Sequence, residues 1–337
     1  MSKKKAVAIF TKRFRNNDYE LLFNEFTGFE VLRGINGFPD PFSLELPSLL
    51  DIGVMGTCKN KCKFCYQGHI NRPNMTLENF KKIIDQTKHH VNQVALGGRG
   101  DPNKHENFEE ILLYCRENKV APNYTTSGIN LTDDEVISSK FCGAVGVSDY
   151  GKDYTYQAIQ NLIDSKIRVC IHLIYSKESH NKAIKILKGQ DVWNGNVDTD
   201  KLFSVLFLLF KPQGSGKNLD WVPTPSQIQE FSKLIFKPKN NFQVGVDSCL
   251  INHILKYEKP DKLQAMAIDT CEGARQSAYI TPDMRMMPCS FAEQSKYAVD
   301  ITNKQDIYKI WNHSHIFKKF REYLSTNPTN CPLFTKD

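Results

Sequence analysis

Six strand-like stretches, each followed by a helix-like one, leave this chain very few architectures. The strand candidates are Ser48–Met55, Gln93–Leu96, Ala121–Thr126, Ala144–Ser148, Arg168–Tyr175 and Phe203–Phe210. The helix candidates are Thr76–His90, Glu106–Asn118, a segment opened by the capping box Thr132-Asp133-Asp134-Glu135, Tyr154–Lys166, His180–Lys188 and Ser226–Lys237. Periodicity tells the two apart: Phe108, Ile111, Leu112 and Cys115 recur along one helical face. Thr224 as cap with Pro225 at the first position opens the sixth helix. Alternation of this kind builds a parallel sheet with right-handed crossovers. Six units fall short of a complete TIM barrel, so the expected α/β fold is a partial (β/α)6 barrel over residues 48–240.

Both flanks have a different character. Within Met1–Pro47, Tyr19–Val31 reads as a β-hairpin around Asn24–Gly28. After residue 240, Phe242–Val246 reads as a strand, and Ala278–Thr281 and Arg285–Pro288 form a hairpin around Pro282-Asp283-Met284. Asp306–Leu324 reads as one amphipathic helix carrying Ile307, Ile310, Trp311, Phe317, Phe320 and Leu324. Residues 241–337 are therefore expected to form a small α+β unit.

The longest apolar run, Val205–Phe210, is far too short for a membrane span, and Ala6–Phe10 is too short for a signal peptide. A cytoplasmic protein is expected. Its 44 basic against 37 acidic residues are scattered, which describes a solvated surface and gives no reason to expect nucleic acid. Ten cysteines in a reducing compartment point to metal or redox chemistry rather than disulfides.

Three of them, Cys58, Cys62 and Cys65, crowd one loop directly after the first barrel strand. Three thiolates can hold three irons of a [4Fe–4S] cube and leave the fourth open for chemistry. Structural zinc is the rival; it wants a fourth ligand, for which His69 is the neighbouring candidate. The next strand ends in Gly97-Gly98-Arg99-Gly100-Asp101-Pro102, where glycines allow backbone to approach a ligand and Asp101 offers a carboxylate.

Cys-x₃-Cys-x₂-Cys with Phe64 before the last cysteine, followed by this glycine motif, resembles the radical S-adenosylmethionine (SAM) superfamily. The resemblance implies a cluster at Cys58, Cys62 and Cys65 whose open iron chelates SAM, yielding a 5′-deoxyadenosyl radical. It implies cofactor contacts from Phe64, Gly97, Gly98, Gly100, Asp101, Thr126, Ser127 and Ser148, with Gly128 in the same turn. Asp101 replaces the family's glutamate and is expected on the cofactor's ammonium. Strand five lacks the family's glycine–glutamate motif and has His172, read here chiefly as a buried, hydrogen-bonded histidine and otherwise as a cofactor or substrate contact.

Cys271, Cys289 and Cys331 resemble the twitch form of the SPASM domain, which carries an auxiliary iron–sulfur cluster. Met284 stands where that hairpin often has glycine, and Phe334 where a closing cysteine would fall. Cys249 is the candidate fourth ligand; a hydrogen-donating thiol and a buried structural thiol compete with that role. An all-cysteine second [4Fe–4S] cluster would suit electron transfer from a substrate radical and an oxidative outcome. Cys115, Cys142 and Cys170 are read as buried hydrophobes without function.

The resemblance thus implies oxidative modification or crosslinking of a ribosomal peptide or protein. Alternatives are dehydrogenation of a sugar-like alcohol and, in another class, a non-catalytic iron–sulfur electron carrier or sensor. Expected partners are the peptide or small-molecule substrate, a flavodoxin or ferredoxin, and a separate precursor-peptide-binding protein. No general acid or base is legible. The Tyr19–Val31 hairpin either accepts a peptide by strand addition or covers the barrel, the second reading being preferred.

Overall fold

The computed structural model describes residues 10–26, 28–68, 71–293, 296–302 and 306–333. Three antiparallel strands come first: β1 (Lys12–Arg15), β2 (Tyr19–Phe23) and β3 (Glu30–Gly34). The hairpin is as expected, and β1 adds a strand that its short basic sequence did not announce. This sheet lies under the barrel: Lys12 Nζ donates to the carbonyls of Lys88 and Val91, at 2.8 and 2.5 Å. Glu30 accepts from Ser48 Oγ at 3.1 Å and Asn92 Nδ2 at 2.7 Å, beside the starts of two barrel strands. It therefore covers the end opposite the cysteine loop.

The barrel strands are β4 (Leu49–Met55), β5 (Gln93–Gly98), β6 (Ala121–Thr126), β7 (Val145–Ser148), β8 (Val169–Tyr175), β9 (Ser204–Leu209) and β10 (Gln243–Val246), all parallel to their neighbours. Between them run α1 (Leu77–Thr87), α2 (Phe108–Glu117), α3 (Asp133–Ser138), α4 (Asp153–Asp164), α5 (His180–Leu187) and α6 (Pro225–Ile235). Caps open three of these helices where the sequence places them. Thr76 accepts from the Asn79 amide, and Thr132 and Thr224 each complete a capping box. One sheet face packs on the helices through Leu50, Ile52, Val54, Ile171 and Val205, all fully buried.

Two findings change the boundary between barrel and appendage. Phe242–Val246 was expected in the appendage, yet β10 pairs parallel with β9 and extends the barrel sheet by a seventh strand. Likewise β11 (Ser277–Ile280), which forms the expected hairpin with β12 (Arg285–Met287), pairs parallel with β4. The appendage is thus sewn into the sheet, whose order runs β10-β9-β8-β7-β6-β5-β4-β11-β12-β13, with β13 being Val299–Asp300. After β10 come α7 (Ser248–Ile254) and α8 (Lys262–Met266). The expected single helix Asp306–Leu324 is two, α9 (Ile307–His313) and α10 (His315–Thr326). Ser314 breaks it, with ψ at 132° and its side chain accepting the Ile316 amide as a new cap.

Met284, at the turn of the appendage hairpin, has φ of +58°, the conformation for which glycine is ordinarily chosen. Its side chain is buried in the main core, so apolar burial offsets the strain. Met284→Gly should relieve about 1–2 kcal/mol of strain but lose about 2–5 kcal/mol of packing. A net loss of about 1–3 kcal/mol by urea denaturation is expected. A gain in stability would show that the side chain contributes no burial.

Candidate functional site

The cysteine loop leaves β4 at Met55 and is shaped by its own backbone. The Cys65 amide donates to the Cys62 carbonyl at 3.2 Å, and the Gly68 amide to the Cys65 carbonyl at 3.3 Å. Cys58, Cys62 and Cys65 are each half-buried and free of disulfides. Burial, followed by the charges of Asp101, Cys62 and Cys65, pushes the Cys58 thiol up. Burial raises Cys62 in the same way, and a hydrogen bond with Tyr150 counteracts it. Three thiols and one carboxylate therefore share a pocket in which thiolates repel, and a bound cationic centre would relieve that repulsion. Among the described residues, no three His, Cys, Asp or Glu side chains converge as they would on a single ion. His69 lies outside the described residues.

The glycine motif presses on the base of this loop. A β-carbon added at Gly98, where φ is +118°, would stand 2.2 Å from the Met55 carbonyl oxygen; at Gly100 it would stand 2.4 Å from that of Thr57. Gly97 has nothing within 4 Å of that position, so it presents bare backbone to open space, as close approach by a ligand requires. Asp101 accepts from the Ser127 amide at 2.8 Å and the Ser127 hydroxyl at 2.5 Å, and burial raises its pKa. Asp101 and Ser127 are thus joined across the ends of two strands. Thr126 turns its hydroxyl back to the Gly128 amide at 3.1 Å and is almost fully buried, which makes it a turn-fixing residue. Ser148 ends β7 and hydrogen-bonds Tyr150.

Phe64 lies between Tyr150 and Trp221, with ring centroids 5.7 and 5.9 Å away, and Phe210 backs Trp221 at 5.8 Å. This aromatic wall covers one side of the cysteine loop. Neither Tyr150 nor Trp221 belongs to a motif, and the sequence reading did not single them out. His172 faces away from the helix layer, since its neighbours Ile171 and Leu173 are buried in the core. Its ring and Thr125 Oγ1 both lie against Gly146 on the inner side of the sheet. Enclosure depresses its pKa to about 4. The expected hydrogen bond is missing: nothing among the described residues pairs with the ring, because its strand neighbour there is a glycine.

The second thiol set spans the open seam of the barrel. Cys249 lies in the first turn of α7, one step past the strand end expected for it, on the β10 edge of the sheet. Cys271 and Cys289 flank the β11–β12 hairpin on the other edge, and Cys331 follows α10. Burial drives Cys289 far above its usual range, followed by the charges of Cys271, Cys331 and Cys249. The same cause lifts Cys249 to about 12 and Cys271 to about 11, with Cys331 a neighbour of both. Four mutually repelling, desolvated thiols are a donor set that suits an iron–sulfur cluster or a four-cysteine zinc site. Phe334 lies outside the described residues. Of the remaining cysteines, Cys115 is fully buried and Cys142 is pushed to about 12 by burial.

The two thiol sets touch through the segment that follows Cys289. Tyr66, next to Cys65, packs on Phe291 with centroids 4.5 Å apart and hydrogen-bonds Ser290. Gln67 Nε2 donates to the Tyr279 hydroxyl at 3.3 Å. Arg99 donates to the Gln67 carbonyl at 2.7 Å and to Glu293 at 2.9 Å, both side chains about 4% exposed or less. Arg72 reaches Glu293 at 3.2 Å and Asp283 at 2.9 Å.

Residues 52–145 match the family model of the radical SAM superfamily, and residues 271–333 that of the SPASM iron–sulfur cluster-binding domain. Mycofactocin maturase MftC of Mycolicibacterium smegmatis is 22% identical over 306 residues, covering 83% of this chain and 74% of that protein. The crystal structure of SuiB from Streptococcus suis superposes with a TM-score of 0.71 at 14% identity, over 94% of this chain and 90% of that one. SuiB bound to its precursor peptide SuiA gives 0.68 at 14%, over 92% and 90%. Native anSMEcpe with bound AdoMet and Cp18Cys peptide gives 0.58 at 16%, over 81% and 82%. The chain thus carries a radical SAM domain followed by a SPASM domain, and it is an enzyme. Its cofactors are a [4Fe–4S] cluster, SAM and an auxiliary iron–sulfur cluster. No helix among the described residues is long and apolar enough to cross a membrane.

Removing one partner of a buried ion pair strands the other charge, at a cost of about 3–5 kcal/mol. Glu293→Ala should lose about that much by chemical denaturation, because Arg99 stays buried. Asp283→Ala, at a carboxylate 38% exposed, should cost less than about 1 kcal/mol. Equal losses would show that burial does not set the value of these pairs.

Proposed function

We propose that this enzyme uses Cys58, Cys62 and Cys65 to hold the catalytic cluster and modifies a peptide oxidatively, by dehydrogenation or crosslinking. The observation that carries this reading is the direct contact of the cysteine loop with the segment leaving Cys289, which sets two thiol groups on either side of Tyr66 and Phe291. A cluster held by Cys58, Cys62 and Cys65 would supply the electron for reductive, radical-generating chemistry on SAM.

The chain's own residues position and exclude. Gly97 leaves room for the amino-acid end of SAM, and Asp101, held by Ser127, presents a carboxylate to its ammonium. Phe64, Tyr150 and Trp221 keep water from the loop, as a reactive carbon radical requires. Cys249, Cys271, Cys289 and Cys331 hold the auxiliary cluster, and the mutual proximity of the four supports ligation over a free hydrogen-donating thiol. The peptide reading is supported by two similar folds, SuiB and anSMEcpe, that have been seen with peptides bound. The similarity to a maturase supports it too. With the N-terminal sheet placed under the opposite end of the barrel, the peptide reaches the site from the end that carries the cysteine loop.

Anaerobic incubation of the reconstituted chain with SAM and dithionite should release 5′-deoxyadenosine. Replacing Cys58, Cys62 and Cys65 together by alanine should abolish this and remove about four irons per chain. Persistent 5′-deoxyadenosine in that variant would sink the assignment, and none from the parent would favour the electron carrier. Asp101→Asn keeps an acceptor for the Ser127 amide while removing the charge, a loss of about 1.5–3 kcal/mol for a charged hydrogen bond. The SAM dissociation constant should rise about tenfold or more; an unchanged value would make Asp101 purely structural.

A further inference from the structure

Lys211 follows β9 at the seam and is buried, its side chain 6% exposed. The ammonium donates to Asp247 Oδ2 at 2.7 Å and to the Leu209 carbonyl at 3.2 Å. It stands 4.0 Å from the centroid of the Phe291 ring. Asp247 is itself fixed by backbone: its Oδ1 accepts the amides of Leu209 at 3.2 Å and Leu250 at 2.9 Å, capping α7. Lys211 is thus a cation locked by a locked anion, with little freedom to swing to solvent.

That position adjoins the second thiol set. Cys249 is two residues beyond Asp247, in the first turn of the helix that Asp247 caps, which sets the Lys211 charge beside this thiol. An ion pair with Asp247 would satisfy Lys211 at many other places on a protein surface. Here the pair is buried, and its positive end lies between a thiol and the aromatic ring that touches Tyr66.

We propose that Lys211 sets the reduction potential of the auxiliary cluster, holding a fixed positive charge at its Cys249 corner while Asp247 opposes it. This rests on reading Cys249 as a ligand. Gaining one electron makes a thiolate-bound cluster more negative by one charge, so a nearby cation favours the reduced form. Hydrogen bonds to sulfur and net charge are the established protein controls on such potentials. In a desolvated seam the effect is larger than at a surface. Lys211 and Asp247 must therefore act with opposite signs.

The test uses the full chain carrying Cys58→Ala, Cys62→Ala and Cys65→Ala, reconstituted anaerobically with iron and sulfide so that only the auxiliary cluster forms. Its midpoint is read by redox titration followed by electron paramagnetic resonance. Lys211→Met should move the midpoint down, Asp247→Asn should move it up, and Lys211→Arg should stay near the parent. Each should keep about four irons. A merely structural pair would move both variants the same way, or neither, and would overturn the proposal. If Lys211→Met fails to hold iron, Asp247→Asn decides alone: an unchanged or lowered midpoint in that variant overturns the proposal. Full cluster retention in Cys249→Ala would instead overturn the ligand reading beneath the proposal.

Discussion

Strand β4 has a parallel neighbour on each side, β5 and β11, and the site depends on that double pairing. The cysteine loop leaves β4 with the glycine motif of β5 on one flank and the appendage hairpin on the other. Parallel pairing on both flanks ties the three segments together, and the β4–β5 register shifts between Gly53 and Met55, where the cysteine loop begins. Gly53 shows how tight the arrangement is. A β-carbon there would lie 2.6 Å from the Tyr279 hydroxyl, the same hydroxyl that receives Gln67 from the cysteine loop. Lacking a side chain, Gly53 lets the appendage approach the first barrel strand.

Much of this is legible in the sequence because its determinants are local. Helix caps at Thr76, Thr132 and Thr224 are fixed by contacts within four residues, and they stand where the sequence places them. The cysteine spacing and the glycine motif are local as well. What sequence reading misses is non-local pairing. Phe242–Val246 has the same composition whether it begins a new unit or adds to β9, and only its partner distinguishes the two. The break at Ser314 is hidden for a related reason: Ile310 and Phe317 keep the helical period across it, so both pieces bury the same side. Arg99 and Glu293 are 194 residues apart, and no spacing rule joins them.

Buried ion pairs are poor sources of stability, because desolvation consumes most of the Coulombic gain. Two of them nevertheless stand beside the thiol sets here, Arg99 with Glu293 and Lys211 with Asp247. An apolar pair of the same volume would pack as well but would not fix direction. Arg99 shows the difference, because its fork holds two objects at once, the carbonyl of Gln67 in the cysteine loop and the carboxylate of the appendage. Geometry is what these pairs supply, and a radical enzyme needs geometry more than an extra increment of stability.

Both pairs act on the same short segment. Cys289 faces the thiol set at the seam; Ser290 bonds Tyr66; Phe291 packs on Tyr66 under the Lys211 ammonium; Glu293 receives Arg99 and Arg72. Residues 290–292 form one short turn of 3-10 helix, a tight form that leaves few ways to redistribute a displacement. A shift of Cys289 would therefore move the ring against Tyr66 and the carboxylate against Arg99 together. Close packing transmits such shifts instead of absorbing them. The placement of the cysteine loop and that of the auxiliary thiols are consequently one structural problem, solved by the five residues from Cys289 to Glu293.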